Sequence, residues 1–298
     1  VTVGGLIEPF AFGSSVSPSS TLPKGEESGV LEVEEAKAMF SMQDAAGTGS
    51  YAPGGFFASS SIFKLLGKEI GIDYTYFPPA SETAANVRMA CADGGDMTSP
   101  HLIGLLLRGM TSVVFFGNFD TPLQPKEKWD AETRAPTAAD IDDDLPPFFG
   151  IVLQDLGEKT SYDFSRNQVF AAADFPRVVA AMQGAQATGK GIVVTTELET
   201  IENKWWGLQK GHRVNVTWVY LSRAPDWEAR LPLDLRRLVV PEQGGSDPTV
   251  ARKGGPFDTF PYYGTGKLYY DARNTNLLAD LCGWVLRANA PVLQAALA

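Results

Sequence analysis

The segment Ser99–Phe116 constrains the fold of this chain more than any other. Ser99-Pro100 puts a capping hydroxyl ahead of a proline whose fixed φ suits a first helical turn. Leu102, Ile103, Leu106 and Leu107 then share one helical face, and Met110–Phe116 (MTSVVFF) is an apolar run of strand length. The same alternation returns downstream. Asp174-Phe175-Pro176 opens a helix carrying Phe175, Val178, Val179 and Met182, and Gly191–Leu198 (GIVVTTEL) and Val214–Leu221 (VNVTWVYL) are strands. A last helix at about Thr275–Ala288 aligns Leu277, Leu278, Leu281, Trp284 and Val285. Strands and helices mixed throughout predict an α/β fold. Toward the N-terminus, a short helix is expected at Leu31–Met42, and a glycine- and serine-rich loop at Ala46–Ser61. A long loop holding Pro78-Pro79 follows.

With 298 residues, 44% hydrophobic and 20% charged, the chain can build one large α/β domain or two small ones. No apolar run approaches the ~18 residues of a transmembrane helix. The opening VTVGGLIEPF lacks the basic and apolar regions of a signal peptide and is expected to belong to a processed or partial chain. A net charge of −10 without a basic run argues against nucleic acid as a partner. It argues for solubility and against strong attraction to anionic membranes, while contact with zwitterionic lipid stays open; the chain is expected to be soluble or peripheral to membranes, with secretory and organellar compartments both open. Cys91 and Cys282 form no C-x-x-C pair, so zinc is not expected. Two free thiols or one disulfide both remain open. The sequon Asn215-Val216-Thr217 falls inside a strand, which would ordinarily hide it.

Gly184–Lys190 (GAQATGK) nearly matches a phosphate-binding loop, but Gly191 replaces the expected Ser or Thr. The order is also reversed, with a helix before and a strand after, so a helix C-cap and turn is expected. His101 and His212 are the only histidines, and no G-x-S-x-G elbow occurs, so a Ser-His-Asp triad has no basis. The acidic run Asp140-Ile141-Asp142-Asp143-Asp144 is expected to be a solvated loop, because EF-hand spacing is missing. No cofactor is called for. Trp205-Trp206 would line a lipid groove or pack against the sheet, while Trp218 and Trp284 belong in the core.

The informative constellation is Asp93-Gly94-Gly95, where two glycines let the backbone turn tightly beside a carboxylate. Ala92–Asp96 (ADGGD), Ser99-Pro100, Leu105–Gly109 (LLLRG) and Val113–Phe116 (VVFF) together resemble the aspartate segment of fungal phospholipase B. They are also similar to that segment in cytosolic phospholipases and, more distantly, in patatin. Phe119-Asp120 sits where those families end a buried strand in a phenylalanine–aspartate pair. Ile7–Ser14, Ala46–Ser50, Phe164–Phe170 and Asn274–Asn289 resemble further family segments in collinear order, so the likeness spans nearly all of 1–298.

The resemblance implies the C-terminal part of a single lysophospholipase-like catalytic domain, with a central mixed sheet flanked by helices and incomplete without an N-terminal segment. It implies a Ser-Asp dyad in which Asp93 is the general base and Gly94 and Gly95 shape its turn. The serine elbow precedes the first matching segment in those families. A precursor-derived N-terminal chain would then be the partner that supplies the serine, and a lipid ester the substrate. Thr48 and Ser50 match a different family loop. A catalytically inactive binding or structural subunit on the same fold is the alternative.

Overall fold

The computed structural model describes residues 41–42, 72–76, 87–91, 102–153, 166–240, 255–263 and 269–298. The chain divides into two compact units, Val1–Ser99 and Pro100–Ala298. In the first, β1 (Ile72–Tyr76) pairs antiparallel with β2 (Val87–Cys91), Tyr74 opposite Met89. This corrects the expected loop. Ile72, Tyr74 and Tyr76 alternate with polar residues, the period that a half-exposed strand needs. Apart from Ser41 and Met42, the helix expected at Leu31–Met42 and the loop Ala46–Ser61 lie outside the described residues.

The second unit contains α1 (Leu102–Leu107), β3 (Ser112–Gly117), α2 (Phe175–Ala187), β4 (Ile192–Glu199) and β5 (Arg213–Tyr220). The short helices α3 (Pro225–Glu228) and α4 (Leu233–Val239) follow, then α5 (Ala272–Ala288) and α6 (Ala290–Leu297). The three strands form a mixed sheet in the order β3-β5-β4, with β3 parallel and β4 antiparallel to β5. The architecture is thus α/β around a small mixed sheet.

Strand alternation divides two cores. Val113, Phe115, Ile192, Leu198, Val214, Val216, Trp218 and Tyr220 point to one face, where Phe175, Val178, Val179 and Met182 of α2 cover them. These four α2 residues are at most 1% exposed, so the helical face expected from the sequence is the one buried. Phe115, Phe148 and Trp218 meet at ring-centroid distances of 5.3 and 6.1 Å, the tilted and edge-on packing that aromatic quadrupoles favour. Trp218 also donates its indole N–H to Thr196 Oγ1 at 2.8 Å, which pays the desolvation of a buried donor. On the other face, Val193 packs with Leu277, Leu281 and Val285 of α5, and Val219, Trp284, Val292 and Leu293 lie partly buried against them. Trp218 is therefore core and Trp284 borders it. Thr195 and Thr217 share a 2.7 Å hydroxyl hydrogen bond across β4 and β5.

Gly191, between α2 and β4, has φ +79°, and a Cβ there would lie 2.9 Å from Val285 Cγ2. Glycine is needed both for the left-handed turn and for the approach of α5. Thr188 caps α2 and Gly189 follows at φ +78°, so the phosphate-loop look-alike is a helix ending that feeds a strand. Asn215 does lie in β5, but its side chain is exposed, because alternation buries Val214 and Val216 instead. Thr217 of the same sequon is fully buried. Among the described residues, no helix is long and apolar enough to cross a membrane.

Candidate functional site

Asp93, Gly94 and Gly95 lie outside the described residues. Their flanks are described. β2 ends at Cys91 before them, and after them come α1, with Leu102, Ile103 and Leu106 buried, and β3. At Gly117, the last residue of β3, a Cβ would collide with the Phe119 ring. Phe119 is 3% exposed, and its ring centroid lies 4.3 Å from that of Tyr220. The phenylalanine of the Phe119-Asp120 pair is therefore a core anchor that fixes where the next residues emerge.

Those residues meet the acidic run. Asp142 Oδ2 accepts the backbone N–H of Asp120 at 2.9 Å and of Thr121 at 3.1 Å, and Asp142 Oδ1 accepts that of Asp144 at 3.2 Å. The Tyr220 hydroxyl donates to the Thr121 carbonyl at 2.6 Å and accepts the Asp142 N–H at 3.1 Å. The expectation of a solvated loop is overturned here. Asp140 and Asp142 are 6% and 3% exposed, and Ile141 between them is fully buried. Asp140 takes a bidentate Arg134 guanidinium, both contacts at 2.7 Å, and the Thr137 hydroxyl at 2.6 Å. Composition marks such a run as polar, but its partners come from positions that composition does not reveal.

The two buried carboxylates behave oppositely. Burial opposes ionisation of Asp140, but Arg134 and the Thr137 donors outweigh it and hold the carboxyl below its ordinary range. Burial pushes Asp142 up to about 8, aided by the charges of Asp144 and Asp120 and opposed by the Thr121 and Asp144 N–H groups. Burial likewise raises Asp143, with Asp120 beside it, and raises Tyr220, with Asp142 beside it. Asp142, Asp143 and Asp144 bring ligand oxygens within 4.8 Å of one another. Both Asp142 oxygens already accept backbone N–H groups, so this carboxyl organises the loop after β3.

Trp205 and Trp206 are carried by the connection between β4 and β5. Asn203 fixes it: its Nδ2 donates to the Arg166 and Gln168 carbonyls, both at 2.8 Å, and its Oδ1 accepts the Trp205 and Trp206 N–H groups, both at 3.1 Å. Trp206 packs partly against the first core, its indole N–H buried without a hydrogen-bond partner among the described residues. Trp205 is 45% exposed, with the Arg166 guanidinium 3.8 Å above its ring. His212 Nε2 lies 3.0 Å from the Met110 carbonyl oxygen, a structural tie between β5 and the start of β3. Cys282 is a half-buried free thiol whose ionisation is opposed by burial. No protein-family model, no curated protein and no solved structure matches this chain.

Proposed function

We propose that the chain is the aspartate-bearing part of a lipid acyl hydrolase of the phospholipase or lysophospholipase type, working through a Ser-Asp dyad. The observation that carries this reading is Asp93-Gly94-Gly95 within a collinear series of segments resembling phospholipase B. The order around it supports the reading: strand β2 precedes Asp93-Gly94-Gly95 in the sequence, and leucine helix α1, strand β3 and the buried Phe119 follow, as the resemblance implies.

In the proposed reaction a serine hydroxyl from a partner segment gives its proton to Asp93 while its oxygen attacks the ester carbonyl. The proton passes to the departing alcohol or lysolipid. Water then cleaves the acyl-serine, losing its proton to Asp93, which passes that proton to the departing serine oxygen and becomes the free carboxylate again. Activation needs the carboxylate and hydroxyl within ~2.6–3.2 Å, and no histidine is required.

The test is Asp93→Asn in the natively purified assembly, assayed on lysophosphatidylcholine. Hydrolysis should vanish with the urea unfolding midpoint unchanged, and hydrolysis that persists refutes the assignment. The second reading, an inactive binding subunit on a hydrolase fold, is favoured by the lack of any G-x-S-x-G among these 298 residues. It predicts that no chain of the native assembly takes a serine-directed phosphonate probe.

A further inference from the structure

We propose that the connection between β4 and β5, residues 200–212, is a docking tip for a bilayer surface bearing anionic phospholipid. Charge is segregated there. The chain carries a net −10, yet this connection holds Lys204 and Lys210 against Glu202, with the Arg166 guanidinium over the Trp205 ring, and all four charged side chains are exposed. Arg213, at the start of β5, shares a depression with Asp174, Glu197 and Glu199, the last at 3.7 Å, and adds little to the charge of the tip. Beyond a Debye length of about 10 Å, salt screens the repulsion from the rest of the acidic chain, so the local basic group decides the encounter.

Trp205 supplies the second element. Its ring is 45% exposed at a hairpin connection and is backed by Arg166. An indole flanked by cationic groups suits the headgroup layer, where the ring meets acyl carbons and the charges meet phosphates. The tip is also preorganised. Asn203 and Leu208 exchange both backbone hydrogen bonds at 2.9 and 3.0 Å, Leu208 is anchored in the core, and Gly207 turns at φ +76°. Little conformational freedom is left to lose on binding. One aromatic ring and three cations fit the plane of a membrane, whereas a single-stranded nucleic acid is tracked by a groove with successive stacking rings.

This inference rests on the lipid-hydrolase reading for its purpose, but vesicle binding needs no nucleophile, so the two fail separately. The experiment is sedimentation of the full chain with vesicles of phosphatidylcholine alone or mixed with phosphatidylserine. Binding should require phosphatidylserine. At about fivefold per basic residue, Lys204→Gln/Lys210→Gln should weaken it roughly 30-fold. Brominated acyl chains should quench the wild-type fluorescence, and Trp205→Phe should abolish that quenching. Equal binding by the lysine variant and the wild type would overturn the proposal, as would retention on polyuridylate in place of vesicles. Both variants change exposed side chains, and an unchanged urea midpoint confirms that they fold.

Discussion

Asp142→Asn isolates the conflict at the loop after β3. Three N–H groups favour the carboxylate, while burial and the neighbouring Asp144 and Asp120 favour the neutral acid and prevail, raising the group from 3.8 to about 8. Between those two values the folded chain holds a proton that the unfolded chain has released. Stability from this group is therefore complete below about pH 4 and falls by about 1.4 kcal/mol per pH unit until about pH 8. At pH 7 the accumulated loss is about 4 kcal/mol, taken as an order of magnitude. Asparagine keeps the shape, and its single carbonyl oxygen can still accept the Asp120 and Thr121 N–H groups. It loses only the longer bond to Asp144 N, a contribution of about 1 kcal/mol. The variant should therefore equal or exceed the wild type above about pH 6, and its stability should lack the downward slope. Urea denaturation of both proteins at steps between about pH 5 and pH 8 measures this directly. Parallel curves would refute the reasoning, because they would mean that Asp142 is ionised in the fold and that its three donors outweigh burial.

Two further substitutions test the packing. Arg223 and Glu228 form a bidentate pair with both contacts at 2.7 Å and side chains 10% and 8% exposed. Arg223→Met should cost about 3–5 kcal/mol in urea unfolding by leaving Glu228 buried without this partner, and Arg223→Met/Glu228→Leu should recover most of it. Gly191→Ala should cost about 1–3 kcal/mol, because the turn at φ +79° is strained for alanine and its methyl meets Val285; an unchanged thermal midpoint would contradict the assigned turn.

Local signals carried much of the sheet and its helices. Phe175, Val178, Val179 and Met182 recur at the helical period, and one α-helix buries all four. β4 and β5 fall within a residue of the runs GIVVTTEL and VNVTWVYL, because glycines at 191 and 211 punctuate them. β1 was legible in the alternation of IDYTY, but the proline pair at 78–79 drew the whole stretch toward a loop. The acidic run shows where local reading stops. Asp142 is organised by Tyr220, 78 residues away, and by Thr121, 21 residues away, and no window of composition contains those partners. The candidate site was legible only through Asp93-Gly94-Gly95 and its resemblance. The basic tip around Trp205 was half visible, since Lys204 adjoins it in sequence while Arg166 reaches it only through the fold.

The helix α6 has a consequence for how the molecule assembles. It packs on β3, β4 and β5, and the Ala296 carbonyl accepts the Ser112 hydroxyl at 2.5 Å. The junction before it is pinned as Asn289 donates to the Lys190 carbonyl at 2.9 Å. These partners are separated by 184 and 99 residues, so the second face of the sheet is sealed by contacts of very long range in sequence. Contacts of that span form slowly, because the chain must close large loops before they stabilise anything. During synthesis the strands therefore leave the ribosome well before their cover does, and Val193 and Val219 wait as an apolar surface open to water or to a chaperone.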